Sequence, residues 1–381
     1  MWVRYDSSPT ILLTNCEWRG QLKNAHGLLL AVCLVVPHIT VAKTPSAVPA
    51  PVPGSPTGNR TIGLEHLPWP TQPNGVIRRD SALDTLIAPG TVPEILAEGF
   101  NSTEGPMWRD GRLWVSDQRA GQVYAIDDKG TKTVIAENTG VKPDPAITVN
   151  QGPNGQAPDK GGAVLIMRQG LRDVGRMTPD GRFYSFLSRF EGKRFNSPND
   201  MVYAQDGTLF FTDPAYSLPG GMDGPNSELH FEGVYSYKDG KLQAVVKDLT
   251  RPNGIGISPS GRILYISTAT PSPRIKAYDI QKDGAVANGR DFYVWPMHPG
   301  ERGGVDGLKI DELGNLWATG VGGVNVISPE GKNLGVIQVK GVQTSNVTFG
   351  GADNRTLFIT GATYVYRIPT LVKGLPLLYS K

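Results

Sequence analysis

Thiols are almost missing. The two cysteines, Cys16 and Cys33, both lie near the N-terminus, so the rest of the chain offers no disulfide, thiolate nucleophile or cysteine-built zinc site. Histidine is scarce too: past the first forty-odd residues only His66, His230 and His298 remain, and their spacing does not suit a histidine-built metal centre. Charge is nearly balanced at +3 over 381 residues, with no basic stripe interleaved with aromatics, so no electrostatic case exists for nucleic acid as a partner. There is no Gly-x-Ser-x-Gly elbow, and no Walker or Rossmann glycine pattern after a strand. Covalent acyl-enzyme and nucleotide chemistries therefore lack their usual parts.

The apolar run GLLLAVCLVV (27–36) is too short to span a bilayer. Arg19 and Lys23 precede it, and Pro37 and the small-residue stretch TVAK follow, which fits a secretory signal over 1–42 cleaved near Ala42. A secreted or periplasmic protein with no stable membrane span is the corresponding expectation. Residues 43–92 read as a Pro-rich linker, TPSAVPAPVPGSPTGN at its start, and an N-terminal extension. Residues 93–372 form the folded body and 373–381 a C-terminal tail.

What is abundant is turn chemistry: 47 glycines and 31 prolines in a chain 39% apolar and 19% charged point to an all-β protein. One unit recurs. GRLWVSD, GAVLIM, GTLFFTD, GRILYIST, GNLWATG and RTLFITG begin 41 to 54 residues apart, each followed by a turn and a partner strand. Several strands per repeat at that period predict a β-propeller, and six copies predict six blades. PEILAEGF (93–100) is placed to supply a strand that closes the ring with the last blade. Trp108, Trp114 and Trp317, at strand positions, are expected to pack between blades.

Within each repeat a polar residue stands nine to eleven positions before the first branched aliphatic of the quoted strand: Glu104, Asn154, Asn199, Asn253, Asp306 and Asn346. Rotation about a propeller axis carries these equivalent positions to one ring of oxygen-bearing side chains. Such a ring repels itself unless it holds a cation, and an oxygen-only donor set suits a hard divalent ion such as Ca²⁺, Mg²⁺ or Mn²⁺. The neighbouring Pro-Asn and Gly residues make tight turns and permit close backbone approach. His298, on the loop before Asp306, could reach the mouth of the same site.

EGPMW, FNSPNDMV…GTLFFTDPAYS, RPNGIGISPSGRILYIS and GGVDGLKIDELGNLWATG, in that order over residues 93–370, resemble the SMP-30/gluconolactonase/LRE-like family, closest to its gluconolactonase and lactonohydrolase types. The resemblance implies a six-bladed propeller with one catalytic divalent cation on its axis, calcium before magnesium, manganese or zinc. It implies Glu104, Asn253 and Asp306 as metal ligands, Asn199 facing metal and substrate, Asp306 as general base and Arg194 as a contact to the sugar lactone. Tyr216 is expected to line the pocket. After LYIS many members carry an aspartate where this chain runs STATPSP (267–273), which bears on substrate preference. The expected activity is metal-assisted hydrolysis of an aldonolactone such as glucono-1,5-lactone, a carboxylic-ester hydrolase reaction. The alternatives are a related metal-dependent aryl esterase, a non-enzymatic calcium-binding propeller, and a metal-free strictosidine-synthase-like propeller.

Overall fold

A computed structural model describes residues 74–140, 151–269, 272–296, 304–339 and 343–380. The leader 1–42, the Pro-rich linker and His298 lie outside these residues.

Gly and Asx turns cut the body into short antiparallel strands, and these assemble into six larger sheets and one two-stranded ribbon, Arg189–Phe190 with Lys193–Arg194. Blade one comprises Thr103–Arg109, Arg112–Asp117, Gln122–Ile126 and Lys132–Ala136. Blade two is Pro153–Pro158, Val164–Arg168, Asp173–Met177 and Phe183–Leu187, and blade three is Met201–Tyr203, Leu209–Asp213, Glu232–Lys238 and Lys241–Leu249. Blade four is Pro252–Ile257, Ile263–Thr268, Arg274–Ile280 and Val286–Val294. Blade five is Leu308–Ile310, Leu316–Gly320, Gly323–Ile327 and Asn333–Gln338, and blade six begins with Asn346–Gly350, Thr356–Gly361 and Tyr364–Pro369. The first strand of each blade touches that of the next, and blade six returns to blade one. This is a six-bladed propeller.

Closure comes from the N-terminal side. Glu94–Glu98 pairs antiparallel with Tyr364–Pro369, Ile95 opposite Tyr366, and completes blade six as its outer strand. One strand lies upstream of the expected folded body. Gly75–Arg78 pairs with Asn333–Gln338, Val76 opposite Ile337, and makes blade five a five-stranded sheet. The tail also packs: the Leu375 N–H donates to Ile310 O at 3.0 Å, and the Tyr379 ring meets Tyr203 edge-on at 5.1 Å. These partners lie at the first hairpins of the blades, so the tail straps the end of the propeller away from the turns that begin the innermost strands.

Second strands are buried on both faces because a blade lies on either side. Every residue of Leu209–Asp213 and of Leu316–Gly320 is buried, so both read as continuous runs rather than alternating ones. Aromatics fill the seams between blades. Trp108 stacks on Phe358 at 5.3 Å between blades one and six, and Trp317 meets Phe349 edge-on at 5.4 Å between five and six. Trp114 lies beneath the Arg109 guanidinium, 5.5 Å from its ring centre. Trp317 is fully buried, and its Nε1–H donates to Asp311 Oδ2 at 2.9 Å. Trp317→Ala should therefore cost about 3–5 kcal/mol in urea unfolding, through a large void and an abandoned acceptor, and Trp317→Phe clearly less.

Candidate metal centre

The turns at the head of the innermost strands bring backbone against backbone near the axis. A methyl group on Gly105 would lie 1.9 Å from Asn154 O, and one on Gly254 would lie 2.4 Å from Asp306 O. On Gly307 it would lie 2.0 Å from the Asn346 side chain. Glycine is required at these places by crowding, and at Gly105 by a φ of +49° as well. Each of these glycines directly follows a ring residue, so the close approach sets where that residue's side chain starts.

Hydroxyl latches hold the arrangement from blade to blade. Ser116 donates to Asn154 O at 2.7 Å, Thr212 to Asn253 O at 2.8 Å and Ser267 to Asp306 O at 2.6 Å. Ser345 donates to Thr103 O at 2.8 Å, joining blade six to blade one. The side chains on the ring thus radiate from backbone that is pinned on both sides.

Glu104, Asn253 and Asp306 meet. The Asp306 carboxyl lies within electrostatic reach of the Glu104 and Asn253 side chains and feels the Asp200 charge. Glu104 Oε2 accepts from its neighbour's backbone, Gly105 N–H, at 2.6 Å and from Asn346 Nδ2 at 3.1 Å. Tyr216 reaches the same cluster, its hydroxyl accepting from Asn253 Nδ2 at 3.4 Å. Asn154 and Asn199 are buried beside it: Asn154 carries the carbonyl that Gly105 faces, and Asn199 O accepts from Gly155 N–H at 2.8 Å. Asn346 is turned differently. Its Oδ1 accepts from Val347 N–H at 2.8 Å, which leaves its NH₂ to face Glu104. Arg194 stands on the two-stranded ribbon, where its guanidinium donates to Leu171 O at 3.0 Å and its backbone N–H to Glu228 Oε2 at 2.9 Å. No ring residue is among its described partners.

Two residues of the cluster have no place in the repeat pattern. Asp200, directly after Asn199, is buried with Oδ2 3.5 Å from Lys309 Nζ and 3.5 Å from Asn346 Nδ2. The sequence signal is closeness along the chain: SPND puts Asp200 directly after Asn199, and DGLK puts Lys309 three residues after Asp306. The departure at Thr268 is visible as reversed hydrogen bonding. Asp117 accepts the Asn101 and Ser102 N–H groups, and Asp213 accepts those of Asn196 and Ser197, whereas Thr268 donates to Thr250 O.

Among the described residues no three His, Cys, Asp or Glu side chains form a metal cluster. The ring instead combines two carboxylates with carboxamides, and two of its oxygens, Asn154 Oδ1 and Asn253 Oδ1, are buried without a hydrogen-bond partner. Buried acceptors beside carboxylates suit a hard cation, which would satisfy both at once.

Burial, the Asp200 charge and the acids' mutual repulsion set their protonation. Burial first, with the Asp200 charge adding, pushes Glu104 up to about 7 against the Gly105 N–H, the Asn346 amide and Lys309. Asp306 is driven well above the ordinary carboxylate range by burial, then by Glu104 and Asp200. Both values lie higher in the folded chain than in the unfolded one. The stability they contribute to metal-free protein is therefore complete below about pH 4 and is lost as pH rises through the Glu104 value. Urea unfolding of chelator-treated protein should show lower stability at pH 8 than at pH 5, by on the order of 1–3 kcal/mol, and Glu104→Gln should flatten that slope.

Residues 102–363 match the family model described as SMP-30/Gluconolactonase/LRE-like region. A gluconolactonase from Zymomonas mobilis is 32% identical over 303 residues, 77% of this chain and 85% of the relative. A pentonolactonase from Haloferax volcanii is 26% identical, covering 71% of this chain and 85% of that protein. The solved structure of a gluconolactonase from Xanthomonas campestris superposes with a TM-score of 0.67 at 30% identity, over 80% of this chain and 97% of that one.

Proposed function

The chain belongs to the SMP-30/gluconolactonase/LRE-like family, and from that premise we propose that it is a divalent-cation-dependent lactonase acting on a sugar lactone such as glucono-1,5-lactone. The observation that carries the metal dependence is the pair of orphaned carboxamide oxygens in a ring with Glu104 and Asp306. Glu104, Asn253 and Asp306 would hold the ion, with Asn199 facing it. Oxygen-only donors make calcium the first choice.

When bound, the cation supplies Lewis-acid polarisation of the lactone carbonyl and a lowered pKa for water. The chain's own residues do the rest. Asp306 takes the proton from the water whose oxygen bonds to the carbonyl carbon. The ring carbon–oxygen bond then breaks, and Asp306 returns the proton to the leaving oxygen, giving an open-chain hydroxy acid. Tyr216, steadied by Asn253, forms one wall of the site. Asn199 and Arg194 orient the substrate hydroxyls, which requires the Arg194 guanidinium to exchange Leu171 O for substrate.

The relatives named above act on gluconolactone and pentonolactone by their descriptions, so the assay panel needs both ring types, together with an aryl ester. Stripping divalent ions should abolish lactone opening, and calcium add-back should restore it. Asp306→Ala should lower kcat by about 10²–10⁴. Turnover indifferent to chelation would overturn the metal-assisted reading, and faster turnover of the aryl ester would overturn the lactone assignment.

A further inference from the structure

Lys309 lies on the innermost strand of blade five, Leu308–Ile310, three residues after Asp306. Its Nζ donates to Leu308 O at 3.1 Å and pairs with Asp200 Oδ2 at 3.5 Å. The Lys309 side chain is 19% exposed and that of Asp200 is 3% exposed, so the pair is screened little by solvent. Lys309 also lines a cavity of about 550 Å³, with Trp108, Phe349 and the strapping tail residues Leu375 and Leu377. The ammonium is therefore held on the tail side of the ring. From there Asp200 and Asn346 connect it to Glu104, through Asn346 Nδ2 at 3.5 Å from Asp200 Oδ2 and 3.1 Å from Glu104 Oε2.

The acid content of this cluster exceeds what one divalent ion neutralises. Glu104 and Asp306 balance an ion of charge two, and Asp200 is left over. Resting on the metal reading above, we propose that Lys309 is a positioning residue for the centre: a tethered cation that offsets Asp200, keeps the metal-free ring packed and weakens the ring's hold on its divalent ion. Its two effects have opposite signs. Without metal, it attracts acids that otherwise repel one another. With metal, it is a like charge near the ion. A tether of this kind also limits the negative charge around the bound ion, and so preserves its power to polarise a carbonyl.

The sign separates this role from that of a simple structural prop, whose loss would weaken both folding and ion binding. Calorimetric titration of metal-stripped full-length protein with Ca²⁺, alongside thermal melts in chelator and in excess Ca²⁺, reads both. Lys309→Met keeps the apolar stem against the cavity. It should bind Ca²⁺ about tenfold more tightly, melt several degrees lower in chelator and regain most of that loss in Ca²⁺. Lys309→Arg should stay close to the unaltered protein. Asp200→Asn should shift Ca²⁺ affinity the other way by a similar factor, and the Lys309→Met/Asp200→Asn double variant should return towards the starting affinity. Should Lys309→Met need Ca²⁺ to fold, the Asp200→Asn shift and the melts in Ca²⁺ still decide the matter. Unchanged or weaker Ca²⁺ binding in Lys309→Met would overturn the proposal and leave the metal reading standing. No uptake of Ca²⁺, Mg²⁺ or Mn²⁺ by the unaltered protein would overturn both.

Discussion

Like charges buried together are the constraint on which this structure depends. Glu104 and Asp306 converge beside Asp200, where burial is the first cause that raises both and the Asp200 charge adds to it. Uncompensated charges inside a protein cost several kcal/mol each, so acids cannot simply collect in a turn-rich chain. They must be held against their repulsion by a scaffold that does not yield. Six sheets closed into a ring meet that demand, because opening the cluster would separate seams filled by side chains such as Trp317, Phe358 and Phe349.

Rigidity is transmitted through backbone more than through side chains. Glycine after a ring residue lets the next blade's main chain approach to contact, and the hydroxyl latches of Ser116, Thr212, Ser267 and Ser345 hold carbonyls across the seams. A side chain that starts from pinned backbone has few rotamers to choose among. This is how separate loops far apart in sequence act as one preorganised donor set. The same close packing leaves the Asn154 and Asn253 oxygens without a protein partner, which is costly without a ligand and favourable with one.

The propeller and its ring positions were legible because they repeat. A strand unit that recurs six times announces rotation, and rotation identifies equivalent residues without any knowledge of contacts. Three of the four latches were equally available, since WVSD, FFTD and YIST carry a hydroxyl at the same place, whereas Ser345 lies outside that motif. Side-chain orientation was not. Asn346 occupies a ring position, yet its oxygen turns to Val347 N–H, a choice made by local geometry and not by residue type. Asp200 and Lys309 were hidden for another reason. Neither belongs to the repeat, and their pairing links blade three to blade five, which no spacing along the chain encodes. Gly75–Arg78 escaped notice because four residues carry too weak an alternation to mark a strand, and its pairing partner lies in the fifth repeat.

Ring and mouth obey different rules. The ring is fixed by repetition and crowding, whereas the loops beside it are set by single substitutions. Glu232 shows how one wall is built: its carboxylate accepts Ala215 N–H at 2.8 Å and Arg251 N–H at 2.7 Å, joining the loop that carries Tyr216 to the turn that carries Asn253. Tyr216 meets Asn253 because that clamp spans blades three and four. At the end of the second strand of blade four, Thr268 donates to Thr250 O, where Asp117 and Asp213 at the matching places of blades one and three accept backbone N–H groups. Differences of this kind fall on the loops, while the Glu104 and Asp306 side chains start from backbone that the scaffold holds. On the function proposed above, the chemistry of the centre would be written in the repeats and its choice of substrate in their exceptions.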